Sequence, residues 1–391
     1  MNPTYISSLD TVSGISPEER VRLARVTDLF AFRSNDYYLS LIDWDDPKDP
    51  IRRLIIPTLE ELEPWGRLDP SSEHLYTRAP GLQHKYRETA LLLVSDLCGG
   101  LCRYCFRKRL FIDDAREVNR DISGGLAYIR EHPEITNVLL TGGDPLILDT
   151  ARLREILARL RGIEHVRIIR IGTKMPAYNP YRIINDPGLL DAVREYSLGE
   201  KSIYIMVQFN HPRELTEAAC RAVALLQDAG AVIMNQTPLI RGINDDPAVL
   251  SRLLGRLSFI GVNPYYVFQC RPTTGNRPFA VPVEESYRIF ERARATCSGL
   301  SKQARFVMSH ATGKIEVVGM TDEYTFFKYN QAADPDDIGR FMVYRGNPEA
   351  YWFDDYTDLV DEGRIWKSGR ADGDPGGREA QVETEESPVV L

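Results

Sequence analysis

The sequence predicts an α/β fold built on a parallel sheet, and three observations carry that expectation. From His84 onward, short apolar runs alternate with helical patterns about every thirty residues, which is the period of repeated βα units. The helical stretches between the runs each carry one apolar and one polar face, so each can cover a sheet. The glycine-rich and polar motifs fall at the carboxyl ends of the apolar runs, where parallel α/β barrels carry their active sites. A random scatter would fall on both ends.

Residues 16–32 start the chain's first element. Ser16 is a cap, Pro17 takes the first helical position and Glu18 and Glu19 fill the first turn, so a helix is expected, with Val21, Leu23, Val26, Leu29 and Phe30 as its apolar stripe. The segments 35–44, 45–50 and 55–62 complete a small helical lobe, residues 1–84, over one end of the core. Six strands are expected at 90–95, 137–141, 166–172, 203–208, 231–236 and 265–269. Helices at 151–160, 187–195, 214–229, 247–257 and 284–295 lie between or after them, and residues 85–300 form the catalytic unit. Past 300 the alternation fades into an aromatic-rich C-terminal lobe, 301–367. From 368 to 391 the chain is Gly, Asp, Glu and Pro with little to bury, the composition of a disordered tail.

A length of 391 residues is ample for one large core with extensions. A net charge of −8 gives no electrostatic reason to expect nucleic acid as a partner. The first residues carry neither a charged leader nor an apolar run, and no run approaches a membrane span, so a cytoplasmic protein without membrane contact is expected. A reducing compartment also suits six cysteines.

Three of those cysteines lie within Cys98-Gly-Gly-Leu-Cys102-Arg-Tyr-Cys105, and a basic run, Phe-Arg-Lys-Arg109, follows at once. Such spacing lets one loop hold three corners of a four-iron cluster and leaves one iron open to a small molecule. A zinc site or a disulfide is the competing account. Zinc would want a fourth ligand, and Cys220, Cys270 and Cys297 include no second close pair. Gly142-Gly143-Asp144 follows the second strand, where glycines let a backbone edge approach a ligand or simply make a turn.

Cys-x3-Cys-x2-Cys with Tyr104 before the last cysteine resembles the radical S-adenosylmethionine (SAM) superfamily. The segments 102–109, 140–146 (Leu-Thr-Gly-Gly-Asp-Pro-Leu), 170–173 (Arg-Ile-Gly-Thr), 209–214 and 235–245 resemble the lysine 2,3-aminomutase family in wording and order. The resemblance implies a partial (βα)6 barrel of the radical SAM type and a [4Fe–4S] cluster on Cys98, Cys102 and Cys105. It also implies SAM held at Gly142, Gly143, Asp144, Thr173, Gln208 and Asn210 and cleaved to a 5′-deoxyadenosyl radical. Position 208 departs from the family, which usually has histidine there. His211 is as compatible with a capping role as with a ligand contact.

The same resemblance implies pyridoxal 5′-phosphate (PLP) on Lys314, with Lys85, Tyr86, Asn235 and Gln236 near its phosphate. The family's second phosphate arginine is replaced by Thr89, for which Arg87 is the neighbouring substitute. Arg107 matches the arginine that holds a substrate carboxylate. The two aspartates that grip the ammonium of lysine are replaced by Arg271 and the region of His310, so an amino acid-like substrate other than free lysine, with an acidic or polar distal group, is expected. Arg271 turned outward in a salt bridge is the alternative. The expected activity is that of an isomerase, a 2,3-aminomutase. A PLP-independent epimerase, lyase or dehydrogenase, and an iron–sulfur carrier without catalysis, are the competing functions. A one-electron reductant such as flavodoxin or ferredoxin is implied, a homo-oligomer stays open, and no thiolate zinc site is expected after Cys297.

Overall fold

The computed structural model describes residues 1–112 and 117–364. Its first helix, Pro17–Thr27, begins as expected, with Ser16 Oγ accepting from the Glu19 amide at 3.1 Å. The helix is shorter than the window that suggested it. Leu23, Val26 and Phe30 are buried, but Val21 and Leu29 face solvent. At about 100° per residue Val21 stands on the far side of the helix from Leu23, and Leu29 lies past its end. Strands β1 (Tyr5–Ile6) and β2 (Ser34–Asn35) pair antiparallel, and the helices Asp36–Leu39 and Pro50–Ile55 complete this part of the chain.

Among the described residues, thirteen further strands form one sheet whose spatial order follows the sequence. They are β3 (Thr77–Ala79), β4 (Leu82–Tyr86), β5 (Thr89–Ser95), β6 (Asn137–Gly142), β7 (Ile168–Thr173), β8 (Ile203–Val207), β9 (Val232–Leu239), β10 (Asn263–Gln269), β11 (Arg305–Ser309), β12 (Gly313–Met320), β13 (Tyr324–Ala332), β14 (Phe341–Arg345) and β15 (Leu359–Gly363). The six expected strands are β5 to β10, all parallel. β11 extends the parallel run by one more strand. The sheet stays open, with β3 and β15 at its edges. The five expected helices are present within a few residues of their windows, and Ser123–Glu131 is an additional one. Its Ser-Gly-Gly start has poor helix propensity, which hid it.

Two segment boundaries differ from expectation. The sheet already starts at Thr77, inside the span read as an N-terminal lobe. The aromatic-rich C-terminal segment continues the same sheet as antiparallel strands, and its Phe327, Tyr329, Trp352 and Tyr356 share a core with Val267, Phe290 and Phe306. The tail at 368–391 lies outside the described residues.

The N-terminal residues pack where they bear on function. Tyr38, Leu54 and Ile55 share a core with Tyr104, Tyr178 and Phe279. Backbone bonds run from this lobe to the cysteine loop: the amide of Leu101 donates to the Arg33 carbonyl at 2.9 Å, and that of Arg103 to Leu54 at 3.0 Å.

Candidate active site

Strand parity makes the site. In β5 to β7, Ala90, Leu92, Val138, Leu140, Ile169 and Ile171 join the core that includes the helices. Their alternates Thr89, Leu91, Leu139, Thr141, Arg170 and Gly172 line a cavity on the other face. Cys98, Cys102, Cys105, Gly142, Gly143, Asp144, Thr173, Gln208, Gln236, Lys85, Tyr86, Arg107, Arg271 and Lys314 line that same cavity.

All three loop cysteines are free thiols, which removes the disulfide. They share one cavity wall, but among the described residues no three Cys, His, Asp or Glu side chains converge on a point that would hold a single ion. Tyr178 OH lies 3.0 Å from Cys102 Sγ, and the Arg107 amide donates to Cys105 Sγ at 3.4 Å.

The glycine strip has a packing reason as well as a ligand-binding one. Gly142 has φ +117, and a Cβ there would stand 2.5 Å from the Ser95 carbonyl oxygen; at Gly143 it would stand 2.2 Å from that of Leu97. The amides of Gly143 and Asp144 donate to those two carbonyls at 2.6 and 2.7 Å. The strip thus sets the path of the chain into Cys98. Asp144 accepts from Thr173 Oγ1 at 2.7 Å and from the Lys174 amide at 2.7 Å, tying the end of β6 to that of β7. Burial pushes its carboxyl up to about 6 against those donors.

In the same cavity, Lys314 Nζ lies 4.4 Å from the Tyr266 ring centre and 6.0 Å from that of Tyr86. Burial, then the charges of Arg170, Arg271 and Lys85, bring its amine down to about 7. Lys85 is brought to about 7 by burial and Arg271; it donates to the His310 carbonyl and sits over the rings of Tyr76 and Tyr86.

An arginine cluster surrounds one carboxylate, Glu73, which also lines the cavity. Arg107 donates to it from Nε at 3.0 Å and from Nη2 at 3.1 Å, and gives Nη1 to Thr141 Oγ1 at 2.8 Å. Arg109 Nη2 donates to Glu73 at 2.6 Å, and Arg271 Nη1 is 3.6 Å from it. Arg271 points inward, stacked on Phe106 with 3.7 Å between guanidinium carbon and ring centre, so the outward-turned alternative does not hold. The three guanidiniums hold the Glu73 carboxyl far below the usual carboxylate range in spite of its burial.

Comparison with known proteins decides the family. The Radical SAM superfamily matches residues 92–253. A protein named putative L-lysine 2,3-aminomutase from Aquifex aeolicus (strain VF5) is 58% identical over 366 residues, covering 93% of this chain and 98% of that protein. The L-lysine 2,3-aminomutase of Clostridium subterminale is 39% identical over 289 residues, covering 73% of this chain and 68% of that protein. The glutamate 2,3-aminomutase of Clostridioides difficile (strain 630) is 35% identical over 300 residues, with 76% of this chain and 70% of that protein covered.

The chain belongs to the lysine 2,3-aminomutase-like family of radical SAM enzymes. It is an enzyme of the aminomutase type, an isomerase, and radical SAM enzymes of this kind use a [4Fe–4S] cluster, SAM, a small-molecule substrate and an external reductant. No helix among the described residues is long and apolar enough to cross a membrane.

Three residues expected at the site of this aminomutase-like enzyme are turned away from it. Asn235 has the wrong parity: next to Gln236, which lines the cavity, it points into the sheet and binds Phe209 and Thr237. Asn210 is fully buried behind Tyr104, bonded to that hydroxyl and to Glu214. His310 faces the C-terminal segment instead, with Nε2 2.8 Å from Asp354 Oδ1 and Nδ1 2.8 Å from Thr312 Oγ1. Arg87, the substitute phosphate arginine, is exposed and lies outside the cavity. His211 caps a short turn at Pro212–Glu214. Conversely, Glu73, Arg170, Tyr178, Tyr266 and Phe268 line the cavity unanticipated. Arg170 lay within a quoted motif; Glu73 carries no sequence signal.

Proposed function

We propose that this enzyme moves an α-amino group to the neighbouring carbon of an amino acid other than free lysine. In this reading Cys98, Cys102 and Cys105 hold the cluster, the Gly142–Asp144 strip with Thr173 and Gln208 holds SAM, and Lys314 carries PLP. The supporting observation is that the Lys314 amine, brought down to about 7, opens onto the same cavity as the three thiols. When bound, the cluster and SAM supply a carbon-centred radical, and PLP supplies an aldehyde that takes up the amino group.

The chain's own residues do the rest. Lys314 offers a neutral amine at ordinary pH, which attachment to an aldehyde requires. Lys85 and Arg170 line the same cavity and act on Lys314 by charge, so they would serve as donors to a phosphate, with Gln236 as a neutral one. The rings of Tyr86, Tyr266 and Phe268 wall the amine from water. Arg107 offers a planar fork for the substrate's carboxylate.

Arg271 faces the distal part of the cavity. Beside a lysine ammonium about 4 Å away it would cost about 4 kcal/mol at an effective dielectric constant of about 20. An acidic or polar distal group is therefore favoured. One observation supports a second reading: Glu73 beside Arg271 could pair with a cationic distal group, and relatives carry the name lysine 2,3-aminomutase.

Anaerobic reconstitution with dithionite, SAM, PLP and a panel of amino acids, followed by chromatography of the β-amino acids, tests both readings. Conversion of glutamate or another acidic or polar amino acid is expected. Lysine as the best substrate would overturn the distal-group reading. Undiminished turnover by Lys314→Ala would overturn the place of PLP.

A further inference from the structure

The Arg107 fork that the proposed function assigns to the substrate's carboxylate already holds a carboxylate of the chain itself. Glu73 takes Nε and Nη2 of Arg107, and Thr141 takes Nη1, so the side-on fork of the guanidinium is already occupied. A substrate carboxylate can take that two-pronged edge only if Glu73 leaves it.

Glu73 has somewhere to go. Arg109 Nη2 already donates to it at 2.6 Å, and buried Arg109 Nη1 faces Asp69 Oδ1 at 3.7 Å, an ion pair too long for a hydrogen bond. Unlike Arg107 and Arg271, Arg109 does not line the cavity. A rotation of the Glu73 side chain toward Arg109 would offer Nη1 the hydrogen bond it lacks, keep the carboxylate ion-paired and clear the cavity wall. The backbone around Glu73 need not move: Ser71 Oγ holds the Ser309 carbonyl at 2.7 Å, and Tyr76 OH holds that of Ala311 at 2.7 Å. Charge favours the same exchange. Arg107, Arg109 and Arg271 are offset by Glu73, Glu117 and Asp69, the latter two paired with Arg109. A single substrate carboxylate replaces Glu73 on Arg107 only, whereas a second one replaces it on Arg271 as well.

We propose that Glu73 is the resident counter-ion of the substrate fork, yielding Arg107 and Arg271 to a substrate with a carboxylate at each end and withdrawing onto Arg109. Glu73 thus competes directly with the substrate's carboxylates for both guanidiniums. This rests on the reading of Arg107 and Arg271 as substrate contacts.

The test is the affinity of the reconstituted holoenzyme for glutarate, an unreactive dicarboxylate, measured by calorimetry without reductant, in wild type and Glu73→Gln. Glutamine keeps the size and removes the charge. Glutarate should bind Glu73→Gln at least tenfold more tightly than wild type, and butyrate should gain less. Equal or weaker binding by the variant, or no glutarate binding to either form, overturns the proposal. Should Glu73→Gln fail to fold, a crystal structure of the wild-type glutarate complex decides: Glu73 on Arg109 supports the proposal, and Glu73 still holding both Arg107 nitrogens overturns it. No turnover is measured, so a protein that moves no amino group can still pass. An active aminomutase that fails here loses only this inference.

Discussion

Arg103 and Glu61 form a two-pronged ion pair out of reach of solvent: Nε and Nη2 donate to the carboxylate at 3.0 and 2.8 Å, and the side chains are 2% and 0% exposed. Lys108 Nζ joins the same carboxylate at 3.3 Å. Arg103 lies between Cys102 and Cys105, so one buried anion from the N-terminal lobe secures two cations of the cysteine loop. Such a pair need not add net stability, but breaking it strands the survivors in a dry environment.

Glu61→Gln is therefore expected to cost about 3–5 kcal/mol, the range for an uncompensated buried charge. Urea unfolding of the metal-free protein measures it. Iron retained per chain after anaerobic reconstitution and desalting should fall as well. Unchanged stability together with unchanged iron would show that the lobe does not hold the loop.

Gly143→Ala tests the path into Cys98. The added methyl would meet the Leu97 carbonyl oxygen at 2.2 Å, backbone against a β carbon, so residues 95–98 must shift. Iron incorporation is expected to drop several-fold while far-UV circular dichroism stays native, because the helix-covered core lies on the other face of the strands. An alanine variant with full iron content would mean that the strip serves a ligand alone.

The parts of the fold and site that could be read in the sequence were those with local causes. Ser16-Pro17-Glu18-Glu19 starts a helix by bonds within four residues, and β5 to β10 show as short runs because the face under the helices must be apolar. Strand β11 and the hairpins after it were missed because their partners were not in view: Phe327 and Tyr329 look like a generic aromatic segment until Phe290 and Phe306 come to meet them. Motif matching found Gln236 but also took Asn235, and only strand parity separates adjacent residues. Glu73 lies 34 positions from Arg107, in a stretch without periodicity, and its role exists only through that long-range pairing.

His310 is expected to be a stability residue. The Thr312 amide donates to its Nδ1 at 3.2 Å, so Nε2 carries the proton given to Asp354. His310→Gln should lower stability by about 1 kcal/mol, the usual worth of a lost hydrogen bond, and leave the ranking of amino acid substrates unchanged. A changed ranking in the substrate panel would return His310 to the cavity wall.

Lys314 makes the site depend on pH in a direction that can be worked out. Its amine titrates at about 7 in the folded protein, against about 10.4 in an unfolded chain. Between those values the unfolded state binds more protons, so stability rises with pH across that window, and the penalty for burying the cation is fully present below it. Without PLP, Lys314→Met should therefore melt higher than wild type at pH 6, and the gain should shrink as the pH approaches 10. Cofactor attachment follows the same proton: the visible absorbance that develops on adding PLP to wild type should form faster as pH rises through about 7, and should be missing in Lys314→Met. A variant advantage that is flat from pH 6 to 10 would show that the lysine is not held as a depressed, neutral amine, and the case for it as the anchor of PLP would lose its physical basis.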